Sequence, residues 1–386
     1  MRLHLILPRV EPTEIPVPSC CPHCGGKHVH LRQAVAKPLR DTVHTQVTAH
    51  RYECWRCGRT WRVYPRGVSR DHTSQRLKGL AVMLYLLGLS YGAVSLALEA
   101  LGVYLCKSRV YDAVQAAAAR VPGMRQGAVF DGLRTPALGS DVTSVRCNGR
   151  WLTLGLCVDD TNGLVLSVDG LAGEDAYTLE AWLRPIVSAL GVELLVSDDA
   201  DAFKQVADRL ALQHQVCKAH VLRNTEALVE NLLPAAAQDA DRSLSALGVT
   251  PQQAVADLQR LVECVRTRQP EAKAELELLF YRYAQARAPC QGESASLAYR
   301  MRLLFLDRWN LWSRLTRYRT WRGPQGQTVD GTNNRCERGI GWWVKERHRT
   351  MRGYKRPESA VNVSRLLAWC GNHLQRGGAD LARLLA

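Results

Sequence analysis

Among the 386 residues, the side chains best suited to chemistry are carboxylates that close apolar runs. Asp131 follows Gly127-Ala-Val-Phe130, and Asp198 follows Gly191-Val-Glu-Leu-Leu-Val196-Ser197. An acid at the end of a buried strand is held firmly at a sheet edge, where two such groups can share hard divalent ions. Two Mg²⁺ (or Mn²⁺) ions about 3.5–4 Å apart stabilise the attacking and leaving oxygens of an in-line phosphoryl displacement. Asp199 rivals Asp198 for the second position. Asp141 rivals Asp131 for the first, although it would open its strand rather than sit within one. Asp159 and Asp160 lie in a turn with Thr161-Asn162-Gly163 and compete only weakly. Taken one by one, all of these acids also fit ordinary surface turns.

The elements that must place these acids follow from patterning. Gly127–Leu133 reads as a strand that Asp141–Arg146 could extend, and Asn148-Gly149 then marks a hairpin. Trp151–Val158 and Leu164–Val168 read as strands, Asp175–Leu190 as an amphipathic helix, and Gly191–Val196 as a further strand. Strand, strand, strand, helix, strand is the opening order of a ribonuclease H-like α/β core. There the first and fourth strands are neighbours, so acids on them converge. A third acid should come from a helix after the sheet. Asp330-Gly-Thr-Asn333-Asn334-Arg-Cys-Glu337-Arg338-Gly-Ile340 looks like a helix start, with Asn or Thr capping the end that holds Glu337. Between His220 and Gly331 the pattern is almost entirely helical, as in Pro251–Arg266 and Pro270–Ala288. Leu258, Leu261, Val262 and Val265 mark one apolar face, which predicts an all-α insertion packed as a bundle.

Five of the thirteen cysteines lie near the N-terminus. Cys21-Pro-His-Cys24-Gly and Cys54-Trp-Arg-Cys57-Gly are two C-x-x-C-Gly knuckles, flanked by strand-like stretches at His28–Ala34, Thr42–Tyr52 and Thr60–Tyr64. Two such turns at hairpin tips close a four-thiolate tetrahedral site for structural Zn²⁺, a zinc ribbon, with no open position for catalysis. Cys20 offers a looser pairing with Cys24, and His23 is a weak competitor. With no secretory pattern at Met1–Glu14, a disulfide framework is disfavoured.

Charge points the same way. Lys and Arg total 51 against 36 Asp and Glu, a formal +15, and such an excess favours polyanions, most often nucleic acid. From Tyr299 to Arg356 there are fifteen basic residues against four acids, interleaved with Trp309, Trp312, Trp321, Trp342 and Trp343. Such a mixture can contact phosphates and stack on bases, although Trp at helical spacing is as readily core. Thr73–Leu87, Tyr91–Leu101 and Ser108–Arg120 read as three helices, with Ser90 and Ser108 at N-cap positions. The last two resemble a helix-turn-helix, with Lys107, Arg109 and Tyr111 facing DNA.

The C-terminal motifs resemble a known family. Thr332-Asn333-Asn334-x-x-Glu337-Arg338, followed by Val344-Lys345-x-Arg347 and Thr350-Met-Arg-Gly-Tyr354, resembles the signature of bacterial insertion-sequence transposases of the DDE class. Val216-Cys217-Lys-Ala-His220 is similar to the C-x-x-H element of Mutator-like and related bacterial transposases, and Asp131-Gly132 to the Asp-Gly that opens their catalytic core. The resemblance implies that Asp131, Asp198 and Glu337 hold the metals and that Cys217 and His220 order the active-site edge. It also implies that Asn334, Arg338, Lys345 and Arg347 position transposon-end DNA. Asp199 departs from the family, where Gly commonly follows the second acid.

The expected organisation is a zinc ribbon over residues 1–68, a helix-turn-helix domain over 69–125 and a catalytic core over 126–224 and 326–386. The core is interrupted by the all-α insertion over 225–325. The expected partners are terminal inverted repeats, target DNA and further copies of the chain, in a soluble bacterial protein acting at the nucleoid. A non-catalytic DNA-binding descendant of such an enzyme and a structure-selective nuclease on the same fold are the alternatives.

Overall fold

The computed structural model of the chain describes residues 5–121, 132–351, 354–375 and 379–380. The N-terminal strand β1 (Leu5–Ile6) is followed by β2 (Val29–Pro38), β3 (Gln46–Cys54) and β4 (Thr60–Val63), the last three forming an antiparallel sheet. Three helices follow: α1 (Gln75–Leu86), α2 (Tyr91–Ala100) and α3 (Lys107–Ala119). Ser74 and Ser90 cap the first two, accepting from the amides of Leu77 and Ala93 at 3.0 and 3.2 Å. Cys106 rather than Ser108 occupies the N-cap position of α3, two residues earlier than expected.

The central sheet contains β5 (Ala137–Cys147), β6 (Arg150–Asp159) and β7 (Val165–Leu171); helix α4 (Ala176–Leu190) then leads to β8 (Leu194–Ser197), and α5 (Asp201–Arg209) to β9 (Gln213–Val216). Its order is β7-β6-β5-β8-β9, antiparallel among the first three and parallel from β5 to β8 to β9. That is the ribonuclease H-like arrangement, with the first and fourth strands side by side. Leu138, Cys157, Leu166, Leu179, Trp182, Leu183 and Phe203 fill the side covered by α4 and α5.

The strand opening this sheet begins at Ala137. Asp141 therefore lies in mid-strand, not at a strand start, and Asp131 lies outside the described residues. Pro136 and the Gly139-Ser140 pair disguise the element. These weak strand formers are held extended because β6 and β8 flank them and bury them completely.

Helix α6 (Lys218–Gln238) starts directly after β9 and runs unbroken through the expected insertion boundary at 224/225. Helices α7 (Pro251–Thr267), α8 (Ala272–Arg282), α9 (Leu297–Leu315) and the short α10 (Arg317–Thr320) complete the insertion. Leu258, Leu261, Val265, Leu276, Tyr283, Met301 and Phe305 form its core, so the apolar face read from the sequence is the buried one. The chain then returns to the sheet with α11 (Asn334–Gly339), a π-helical turn (Ile340–Lys345), α12 (Glu346–Met351) and α13 (Pro357–Gln375). A last strand, β10 (Ala379–Asp380), pairs in parallel with β1. Among the described residues no helix is long and apolar enough to cross a membrane.

The three N-terminal helices do not close a core alone. Leu77, Tyr85, Leu98, Val110 and Val114 share one cluster with Ala360, Val363, Leu366 and Cys370 of α13.

Candidate active site

Strand register places the first two acids. In the parallel β5–β8 pair, Ala137 lies beside Leu194 and Gly139 beside Val196; the same offset carried two residues further sets Asp141 beside Asp198. Residues 139 and 141 point to the face that α11 covers. Gly139 is what allows that approach, because a Cβ there would stand 2.8 Å from Val158 Cγ2 and 3.3 Å from the sulfur of Cys336 on α11. Asn333, expected as a helix cap, instead directs its side-chain amide to the carbonyl of Ser140 at 3.3 Å. It ties the start of α11 to the strand that carries Asp141. Glu337, one turn along, then faces the strand acids.

Electrostatics agree with convergence. Burial raises the Asp141 carboxyl to about 6, with the negative charges of Asp198 and Glu337 adding to it against the amide of Val142 and the His220 ring. Burial likewise raises Asp198, although it accepts from the amide of Ala200 at 3.1 Å. Like charges held together in a partly dry site favour protonation unless a cation is present.

Two of the neighbouring acids, Asp199 and Asp159, have other occupations. Asp199 pairs with Lys204 at 3.0 Å and accepts from Asn224 at 3.3 Å. Asp159 accepts from Thr135, from Asn162 and from both the amide and hydroxyl of Thr161. Asp160 is buried and raised to about 7 by that burial, yet its amide bonds to Ala137 at the other end of β5. Its carboxylate nevertheless reaches along the strand to Gly139, where a Cβ would stand 3.3 Å from its Oδ1, two residues from Asp141, and the Arg335 charge opposes the rise.

Cys217 and His220 occupy the first turn of α6 beside this site. Lys218 donates its amide to the carbonyl of Gly331 at 2.9 Å, so the loop before α11 is stitched to the start of α6. His220 Nδ1 lies 3.5 Å from Glu337 Oε1. Burial pushes the Cys217 thiol up, but the His220 ring and the amides of Asn333, His220 and Ala219 outweigh it and hold the thiol below its ordinary range.

A buried chain escaped sequence reading. The Ser197 hydroxyl donates to the carbonyl of Asp198 at 2.9 Å, His214 Nε2 stands 2.9 Å from the same hydroxyl, and Arg314 reaches His214 Nδ1 at 3.0 Å. Arg314 also grips Asp208 through two contacts of 2.8 Å. Every member is satisfied when neutral His214 carries its hydrogen on Nε2. Burial, Arg314 and Lys204 keep it neutral, depressing its pKa to about 3. No spacing motif announces this chain, since its members come from β8, β9, α5 and α9.

At the N-terminus the four cysteines assemble. Cys21 and Cys57 sulfurs lie 3.8 Å apart and those of Cys24 and Cys54 3.7 Å apart, close to the roughly 3.8 Å between thiolates bound at ~2.3 Å to a tetrahedral zinc. Gly25 and Gly58 follow the knuckles with φ near +68° and +66°, each returning its amide to the first cysteine's carbonyl. Cys20 is exposed, and neither it nor His23 joins the cluster. The donor set therefore fits one zinc ion.

The residues expected at DNA divide into two groups. Lys107, Arg109, Asn334, Arg338 and Lys345 are exposed. Tyr111 is half-buried, its hydroxyl 2.8 Å from that of Ser359 on α13. Arg347 corrects the expectation outright: only 4% exposed, it donates to the carbonyls of Gly88 and Leu89 at 2.6 and 2.7 Å and stacks over Tyr85. It joins the core to the α1–α2 turn instead of meeting phosphate. Trp312 and Trp321 are buried and Trp309 stacks on Phe280, so these three serve packing; nothing is described of the Trp342 and Trp343 side chains.

Residues 185–362 match the Transposase IS66 family. That segment is similar to a transposase family. It contains Asp198, the C-x-x-H element, the insertion and Glu337, so the insertion-sequence resemblance read from these motifs stands. No protein of curated function matches the chain. Among solved structures, the chain matches the HTLV-2 integrase catalytic core domain in complex with magnesium at 21% identity and a TM-score of 0.19. That match covers 33% of this chain and 83% of the other. A BIV integrase catalytic core matches at 17% identity and a TM-score of 0.16, covering 50% and 90%. A simian T-cell lymphotropic virus intasome in complex with PP2A regulatory subunit B56 gamma matches at 14% and 0.20, covering 64% and 72%.

Proposed function

We propose that this chain is a DDE transposase whose acidic triad is Asp141, Asp198 and Glu337, acting on the terminal inverted repeats of an insertion sequence. The observation that carries the reading is the register of β5 and β8, which sets Asp141 beside Asp198 under the helix that bears Glu337. Asp131, the acid favoured by sequence, lies outside the described residues, whereas Asp199 is held by Lys204 and Asn224. All three triad members are oxygen donors in a partly buried pocket, a set suited to Mg²⁺ or Mn²⁺. A pair of such ions, when bound, stabilises the attacking and leaving oxygens of strand cleavage and of strand transfer.

The protein's own part is placement. The His214 chain fixes the backbone at Asp198, Asn333 fixes α11 on β5, and the stitched loop fixes Glu337. The exposed Asn334, Arg338 and Lys345 lie on the same helical stretch as Glu337 and are suited to hold end DNA across the pocket. Lys107 and Arg109 on α3 and the ribbon, with Zn²⁺ on Cys21, Cys24, Cys54 and Cys57, are suited to end recognition, and joining two ends calls for at least a dimer. Asp141→Asn, Asp198→Asn and Glu337→Gln should each bind end-containing DNA as the wild type does, yet lose Mg²⁺-dependent nicking by more than about 100-fold. Nicking at wild-type rates by all three variants would refute the reading, and cleavage indifferent to the terminal repeats would turn it into a structure-selective nuclease.

A further inference from the structure

The edge of the acidic pocket offers a second donor set of different chemistry. Cys217 and His220 stand in one turn of α6, and Glu337 meets them from α11. The Cys217 sulfur, a His220 ring nitrogen and a Glu337 carboxylate oxygen all lie within 4.8 Å of one another. His220 Nδ1 and Glu337 Oε1 are 3.5 Å apart, near the roughly 3.4 Å that separates two nitrogen or oxygen ligands on a tetrahedral zinc. Cys217 is fully buried.

Hard ions do not suit such a set. Mg²⁺ takes oxygen ligands and leaves thiolate and imidazole unused, whereas zinc and cadmium favour both. Three protein donors leave a fourth position for water. Glu337 is the one member common to this set and to the acidic triad.

We propose that Cys217, His220 and Glu337 form a site for one thiophilic divalent cation of the zinc and cadmium class. The site shares Glu337 with the hard-ion pocket, so each ion weakens the other's hold. The shared-ligand half rests on the triad proposed above, whereas the soft-ion half does not. An ion bound at Cys217 and His220 draws the Glu337 carboxylate toward α6 and away from Asp141 and Asp198. By linkage, Mg²⁺ must weaken the soft ion by the same factor.

The test is binding rather than turnover. Full-length protein with its ribbon zinc in place is titrated with Cd²⁺, following thiolate-to-cadmium absorption and heat, while elemental analysis confirms that the ribbon zinc is retained. One further ion per chain is expected. Cys217→Ser should lose more than about 100-fold in affinity for it, beyond the 10–100-fold that outer-sphere partners contribute. His220→Gln should behave alike, so that the result survives if either variant folds poorly. Cys290→Ser, which removes an exposed thiol in the insertion, should bind like the wild type. No bound cadmium in the wild type, or undiminished binding in both site variants, overturns the site. Cadmium affinity unmoved by Mg²⁺ overturns the shared ligand. Asp141→Asn removes a hard-ion ligand alone and should keep the cadmium site, so failure of the triad and failure of this proposal give different results.

Discussion

At the scale of single residues, the pocket depends on groups whose charge is set by burial. His214 illustrates the sign. Its folded pKa of about 3 lies below the ordinary 6.5, so the stability it contributes is complete above pH 6.5 and is lost as pH falls toward 3. His214→Phe removes the donor to the Ser197 hydroxyl oxygen and the acceptor of an Arg314 N–H, and should cost about 1–3 kcal/mol at pH 7.5. In denaturant melts, the gap between wild type and variant should narrow on acidification from 6.5 and stay level above it; a gap that widens toward low pH would contradict the neutral assignment. The acids show what was legible at this scale. Asp198 and Glu337 stood out because one ends an apolar run and the other opens a helix. Asp141 was only a rival, because Gly139-Ser140 hides the strand around it and the cross-strand partners that extend those residues are distant in sequence.

Secondary-structure elements explain how distant acids are brought within reach. The sheet, the helices of the insertion and the ribbon strands were legible from alternation and apolar spacing. Their joints were not, because a joint is a contact between elements rather than a pattern within one. Gly139 is such a joint. Gly139→Val should push α11 from β5, lower the melting temperature and reduce cleavage more than end binding; cleavage at wild-type rates would mean that α11 is not seated by this contact. Arg347 is another. The sequence placed it among the DNA-binding cations, yet its guanidinium satisfies the carbonyls of Gly88 and Leu89 between α1 and α2. Arg347→Ala should destabilise the protein by about 1–3 kcal/mol through those orphaned carbonyls. Arg338→Ala and Lys345→Ala should leave thermal stability unchanged.

Across the whole molecule, the formal +15 divides between architecture and surface. In the basic C-terminal stretch, Arg308, Arg314 and Arg347 are committed to internal partners. Composition cannot distinguish those from cations left for DNA. The exposed share should govern salt dependence. If Arg338 and Lys345 each hold a phosphate, replacing either by Ala should lower the slope of log affinity against log salt by about one, and an unchanged slope would remove that residue from the interface. The architecture also joins α1–α3 to the central sheet's C-terminal helices, since α13 shares one apolar cluster with α1–α3 while Arg347 bridges the same two regions. Everything returns to which acid stands beside Asp198. The direct measurement is Mg²⁺-dependent nicking of end-containing DNA by Asp141→Asn and Asp131→Asn side by side, each first shown to bind that DNA. The register of β5 and β8 predicts that the Asp141 variant is inactive and the Asp131 variant cuts. An active Asp141 variant beside an inactive Asp131 variant would contradict it.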